Sequence, residues 1–385
     1  MTPMLFALFL ATFAIGTTEF AVVGLLPDIA IDLGVDIPTA GLLVSAYAVG
    51  VAVGGPVLVV ATTSMTKKNA LLLFMAIFVV GHVLSALALS YTFLLVSRIV
   101  AAVCHASFLG LAAVVAASAA PKGLGQRAVA RVWLGFAGAG LIGVPAGTAL
   151  GQALGWRATF WALAVVGAVS WALIAFRVPR FGPDTGHSLA QEFRTLRHPQ
   201  VLVAMALSLL VCAITFSVFT FIAPILLHVT RVPERSVPFM LLLFGIGGTI
   251  GLLFAGRYVR FGQLQLVLSL LGLQFVTFVG LWLWMDRPIV VGALLLAWGF
   301  LFLAPCVPLQ TRVVEKAIDA PNLASTLNQA AFNVGNALGP LLGAILLSVG
   351  LGSGSLPVLG LALTALAVLV AFLALKSEKS TLATN

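Results

Sequence analysis

The chain has 385 residues, 61% of them hydrophobic and only 8% charged, with 20 Lys and Arg against 11 Asp and Glu. A water-soluble domain carries roughly a quarter charged residues because its surface faces water, so this composition excludes a cytosolic enzyme, a disordered chain and a disulfide scaffold. The net charge of +9 does not mark a nucleic-acid binder either, because the basic residues stand singly or in pairs between apolar runs.

What remains is an integral membrane protein. A bilayer core asks for about 20 apolar residues per spanning helix. In chain order such runs lie at 4–27, 39–61, 69–90, 92–118, 132–154, 157–178, 200–228, 236–256, 264–285, 288–311, 323–349 and 354–375. The expectation is twelve helices and an all-α fold, since runs this long and uniform do not suit barrel strands. Met1 to Phe13 has no basic region and its apolar run continues to Pro27, so no cleavable signal is read there. Cys104, Cys212 and Cys306 lie far apart inside apolar runs and read as small buried residues, with no disulfide or metal site. The turns are short, as at Ser90–Thr92 and Asp286–Arg287, and leave no extramembrane domain to host separate chemistry.

Orientation follows from the basic residues. With a cytoplasmic N-terminus, fifteen Lys and Arg fall on the inner side, among them Lys67, Lys68, Lys122, Arg180, Arg194, Arg197 and Arg260. Only Arg157, Arg231, Arg235 and Arg287 fall outside, so the positive-inside asymmetry places both termini in the cytoplasm. The longest polar stretch lies near the chain midpoint and reads as a linker over 179–199 between six-helix halves at 1–178 and 200–385. Gly143, Gly147 and Gly151 recur 192 residues later as Gly335, Gly339 and Gly343, and Gly54–Gly55 recurs as Gly247–Gly248, which suggests a duplication. Two related halves around a midplane site are a secondary-transporter architecture.

An ionisable residue inside a membrane is costly and therefore a functional candidate. The first half holds Glu19, His82, Arg98 and His105. Counted from Pro27, Glu19 lies roughly 12 Å deep, and counted from Tyr91, Arg98 lies roughly 10 Å deep, so a carboxylate and a guanidinium share a level on different helices. His105 follows Arg98 by two turns on nearly the same face. These residues read either as a proton-coupling set or as an ion pair and a hydrogen bond that pin helices together; His82 reads as packing. In span five, Gly143, Gly147 and Gly151 put small residues on one face and Pro145 should bend the helix. That face serves close packing or a hinge between the halves. Gln329, Asn333 and Asn336 share a face of span eleven and bond either a polar substrate or a neighbouring helix. Phe108, Phe216, Phe219 and Trp298 line an amphipathic cavity or pack in the core. Pro305 and Pro308 should bend span ten.

No Walker phosphate loop, His-Glu-x-x-His zinc motif or nucleophile elbow is present, so the chain is read as no enzyme, needing no cofactor and drawing on a proton gradient rather than ATP. Four stretches carry a resemblance: Gly16-Thr-Thr-Glu-Phe-Ala-Val-Val-Gly-Leu-Leu-Pro-Asp, Arg98-Ile-Val-Ala-Ala-Val-Cys-His, Gly143-Val-Pro-Ala-Gly-Thr-Ala-Leu-Gly and Asn328-Gln-Ala-Ala-Phe-Asn-Val-Gly-Asn. With them the chain resembles the major facilitator superfamily, in its drug:proton antiporter group of arabinose-efflux-like, sugar-efflux and chloramphenicol-resistance permeases. The resemblance implies a multi-pass inner-membrane carrier, working as a monomer, that exchanges protons for a small organic molecule by alternating access. It also implies that Arg98 is the arginine linked to proton coupling, that Glu19 is the embedded acid, and that Pro145 belongs to the antiporter motif. One departure stands out: the loop after span two keeps its glycine and the pair Lys67–Lys68 but lacks the family's acidic latch. A uniporter, a proton symporter and a non-transporting receptor are the alternatives on the same fold.

Overall fold

The structure, a computed structural model, describes residues 2–121, 124–179, 199–258, 262–317 and 321–384. Twelve helices among them are long and apolar enough to cross a membrane. They are α1 (Pro3–Leu33), α2 (Ile37–Ala61), α3 (Lys67–Ala86), α4 (Tyr91–Ser118), α5 (Arg127–Leu154), α6 (Trp156–Arg177), α7 (Pro199–Phe219), α8 (Glu234–Ala255), α9 (Gln263–Leu283), α10 (Pro288–Lys316), α11 (Ala324–Ser348) and α12 (Ser353–Glu378). The described residues contain no strand. All but two residues of the linker read at 179–199 lie outside the described residues, as do Lys122, Arg180, Arg194, Arg197 and Arg260.

The helices begin and end where local chemistry directs. Asp36, Thr66 and Ser90 cap α2, α3 and α4 by accepting the backbone N–H three residues on. The first helix departs from expectation by running through Pro27 to Leu33. Proline removes one N–H and is survivable where packing holds both sides; Leu26 and Ile29 are both fully buried. The helix stops at Gly34, whose φ of 65° is the left-handed cap that glycine adopts freely.

Four helical courses are interrupted. The fourth breaks between Ala102 and His105, and the tenth between Leu303 and Cys306. The fifth contains a π turn at Ala139–Gly143, and the seventh leads through a turn at Thr220 and Phe221 into Ile222–Pro224 and a second π turn at Ile225–Val229. Proline accounts for three of these sites. Pro145, Pro224 and Pro305 each withhold the N–H that the carbonyl four residues earlier would accept, and the chain takes up the mismatch as a wide turn or a break.

The chain divides into two compact units, Met1–Gly186 and His187–Asn385. In the first, the glycine stripe of α5 lies on α1: a methyl added at Gly143 would run into Thr17, and one at Gly151 into Leu25. Thr12 of α1 also donates to the Val132 carbonyl of α5 at 2.8 Å. In the second unit α11 lies on α7 in the same way, Gly335 against Leu209 and Cys212, and Gly343 against Ser217 and Phe221. Gly54 of α2 meets Val103 of α4, and Gly247 of α8 meets Leu296 of α10. The same pairs of helices close up through glycine in each unit.

Beyond glycine, the first unit is tied together at one end by Arg157 of α6. It donates to Asp32 of α1 at 2.6 Å and twice to the Ala88 carbonyl that follows α3, at 3.2 and 2.7 Å. In the second unit Arg312 of α10 is 5% exposed and reaches Gln200 of α7 and Glu378 of α12, each at 3.1 Å.

Candidate functional site

Within the first unit, α1, α2, α3 and α4 bring one connected set of polar side chains into an otherwise apolar interior. Thr18, His82 and Arg98 are fully buried, and Tyr47, His105 and Glu19 are 1%, 4% and 8% exposed. Their bond directions follow from donor and acceptor chemistry. His82 Nδ1 lies 2.7 Å from the Phe78 carbonyl, which only accepts, so Nδ1 carries the hydrogen. In the neutral ring Nε2 is then an acceptor and takes the Thr18 hydroxyl proton across 2.7 Å. The Thr18 oxygen, with its single proton committed, accepts from Arg98 Nη1 at 2.7 Å. Arg98 Nη2 donates to the Thr18 carbonyl at 2.9 Å.

The other side of the guanidinium faces Tyr47, whose ring centroid is 4.2 Å from the central carbon. A cation held over an aromatic face out of water is attracted by the ring's quadrupole. The Tyr47 hydroxyl meets His105 Nδ1 at 3.0 Å, and His105 Nε2 lies 3.8 Å from Glu19 Oε2. That last gap is too long for a hydrogen bond but close enough for strong attraction in a low-dielectric interior once His105 is protonated. Glu19, His105, Tyr47 and Arg98 thus form a contiguous series, and Thr18 extends it to His82.

The structure therefore gathers Glu19, Arg98 and His105 into one site. Since α1 continues to Leu33, the depth counted from Pro27 does not set the level of Glu19. The level is set by Arg98, whose nitrogens meet the residue next to it. His82, read as packing, is a full member of the network. Thr18 and Tyr47 were given no role from the sequence, although each left a signal. Thr18 adjoins the embedded acid, and Tyr47 is one of only three tyrosines in the chain, standing mid-span.

The remaining candidates fall elsewhere. Gly143 and Gly151 pack on α1, and Gly147 meets Thr159 of α6. Pro145 follows the π turn. Phe108 lies in the apolar core of the first unit with Leu8, Ile15, Phe74 and Phe78. Phe216, Phe219 and Trp298 belong to a buried aromatic cluster of the second unit, with Phe219 stacked on Phe244 at 4.1 Å and Trp298 edge-on to both rings. On α11, Asn333 and Asn336 are 6% and 7% exposed, and Asn333 donates to the Gln329 carbonyl at 2.9 Å. Gln329 itself is exposed. Asn328 donates to Gln310 of α10 at 2.6 Å.

Comparison with known proteins agrees with this architecture. The model of the Major Facilitator Superfamily matches residues 8–327. The chain is 38% identical to the inner membrane transport protein YdhP of Escherichia coli K12, covering 98% of this chain and 97% of that protein. It is 39% identical to the chloramphenicol resistance protein of Streptomyces lividans, over 96% and 95% of the two chains. Among solved structures it superposes on the nucleoside transporter NupG with a TM-score of 0.78 at 12% identity, covering 97% of this chain and 99% of that one. That likeness is one of fold.

Proposed function

The chain belongs to the Major Facilitator Superfamily, and from that premise we propose that it is a proton-coupled exporter of a small organic compound such as a drug or a sugar. In this reading it works as a monomer in the inner membrane, with both termini cytoplasmic. The observation that carries the reading is the buried series Glu19, His105, Tyr47 and Arg98. A carboxylate in an apolar interior is costly when ionised and cheap when protonated. Loss of the proton leaves a negative charge that draws on His105 and the nearby guanidinium, and gain of it releases them. Proton binding shifts the balance between inward- and outward-facing states only through such differential affinity.

Substrate contact falls to the α11 amides Gln329, Asn333 and Asn336. Phe108, Phe216, Phe219 and Trp298 are engaged in packing against their neighbours. A relative named for chloramphenicol resistance and relatives named for sugar efflux support export as the direction.

Everted membrane vesicles with an acid lumen test the coupling. They are expected to accumulate labelled chloramphenicol, to stop when the gradient is collapsed, and to lose gradient dependence with Glu19→Gln. Accumulation indifferent to both the gradient and that substitution overturns the proposal, and outward leak of a lumen-loaded compound driven by the same gradient points to an importer.

A further inference from the structure

His82 stands on α3, at the far end of the polar network from Glu19. Its ring is held in place: Nδ1 lies 2.7 Å from the Phe78 carbonyl, and the Phe78 and Phe160 rings lie 4.0 and 6.2 Å away. The Nε2 lone pair, fixed in direction, takes the Thr18 hydroxyl proton across 2.7 Å. A threonine inside a helix commonly donates instead to the carbonyl one turn back. The neighbouring Thr17 does so to Phe13, and Thr62, Thr148, Thr249 and Thr364 likewise reach four residues back, at 2.6–3.0 Å. A hydroxyl has one proton, so the bond to His82 holds Thr18 off the Ala14 carbonyl of its own helix. In that setting its oxygen accepts from Arg98 Nη1 at 2.7 Å. Among the described residues two hydrogen bonds hold the guanidinium, both on Thr18, and its buried Nε has no partner.

We propose that His82 is a positioning residue of the proton-coupling site: by drawing the Thr18 hydroxyl off α1 it turns the Thr18 oxygen to Arg98 and fixes the guanidinium over Tyr47. Its part in proton coupling rests on the exporter reading; the placement of Arg98 rests on the hydrogen bonds alone. With the acceptor gone, the Thr18 hydroxyl turns back to Ala14 and its oxygen leaves Nη1. The guanidinium then keeps only the Thr18 carbonyl and shifts, which changes the field at Glu19 and His105. Those two groups face each other, with Arg98 beside them from α4 and Tyr47 from α2, while α5 and α6 bring the Phe136 and Phe160 rings. His82 acts through Thr18 and Arg98, and neither gains nor loses a proton in this role.

Two amides separate the roles of the ring nitrogens. His82→Gln reaches as far as Nε2 and still accepts from Thr18; His82→Asn reaches only as far as Nδ1 and does not. His82→Met, apolar and without an acceptor, is a second variant of the latter kind. In everted vesicles His82→Gln should keep the wild-type dependence of chloramphenicol accumulation on pH. His82→Asn and His82→Met should displace its midpoint by about half a pH unit or more. Thermal unfolding of the full chain in detergent reads the link without transport. Arg98→Lys keeps the charge and loses the fork, so it should be coupled to His82→Asn or His82→Met, and the coupling should vanish in a Thr18→Val background. Additive effects in the wild-type background overturn the proposal, as does a His82→Gln profile that coincides with those of the other two variants. Wild-type export that ignores pH sinks the exporter reading instead, and the unfolding cycle then decides the placement of Arg98 by itself.

Discussion

Arg98 places both terminal nitrogens on a single residue, Thr18: Nη1 on the hydroxyl at 2.7 Å and Nη2 on the carbonyl at 2.9 Å. That carbonyl lies inside α1, so the guanidinium uses its second lone pair and locks α4 to the backbone of α1. The planar fork of arginine suits two acceptors at fixed spacing, whereas a lysine ammonium is a single point.

Replacing Thr18 tests this lock. Thr18→Val keeps the shape and removes the hydroxyl, leaving His82 Nε2 and Arg98 Nη1 facing a methyl group. Stability should fall by about 1–3 kcal/mol, gradient-driven accumulation should drop, and Thr18→Ser should restore both. A fully active Thr18→Val protein with unaltered unfolding temperature means that the hydroxyl bridge has no part in either.

Tyr47 combines two roles that substitution can separate. Tyr47→Phe keeps the ring against Arg98 but removes the hydroxyl from His105 Nδ1. A change in the pH dependence of transport is expected, with a stability loss of about 1 kcal/mol. Tyr47→Leu also forfeits the cation–ring attraction and should cost more. If the phenylalanine variant keeps the wild-type pH profile, His105 does not act through Tyr47.

At the junction of α1, α3 and α6, Arg157→Ala removes the bonds to Asp32 and to the Ala88 carbonyl together. Its side chain is 32% exposed and that of Asp32 46%, so solvent screens the ion pair and the loss should be only about 1 kcal/mol. Denaturant unfolding with and without added salt measures it, and the difference from wild type should shrink as salt rises.

Gly143→Ala should be harmful despite its small size, because the new methyl would overlap the Thr17 side chain. Overpacking of this kind costs about 1–3 kcal/mol. Combining it with Thr17→Ala should recover part of the loss, a coupling that a double-mutant cycle reads directly; strictly additive effects would show that the two residues do not meet.

Acid acts on the cap of α2. Hydrogen bonds from the Thr39 side chain and backbone hold the Asp36 carboxyl below its ordinary value. Its folded pKa is thus lower than its unfolded one, so the stability it contributes is present above about pH 3.9 and fades as pH falls through the folded value. Asp36→Ala should lower stability by about 1 kcal/mol near neutrality and by progressively less in acid, as unfolding at stepped pH would record.

The twelve helices and the all-α class were legible in the sequence because hydropathy is local: about 20 apolar residues suffice to say that a segment spans, whatever it packs against. Glu19, Arg98 and His105 were legible for a related reason, since a charge or imidazole among apolar neighbours announces its own cost. The course of α1 beyond Pro27 was not, because proline weakens a helix by an amount that packing around Leu26 and Ile29 can offset. Thr18 and Tyr47 were not legible either, because neutral polar residues are common in spans and become informative only through what they face. Thr18 matters because Arg98 and His82 both reach it, and Tyr47 because its ring faces Arg98 while its hydroxyl meets His105. By itself the sequence determined which segments enter the membrane and which charges go with them. Only the tertiary structure decided the pairing, because a hydrogen bond depends on two helix faces meeting at the right rotation and level, and neither quantity is local to one span.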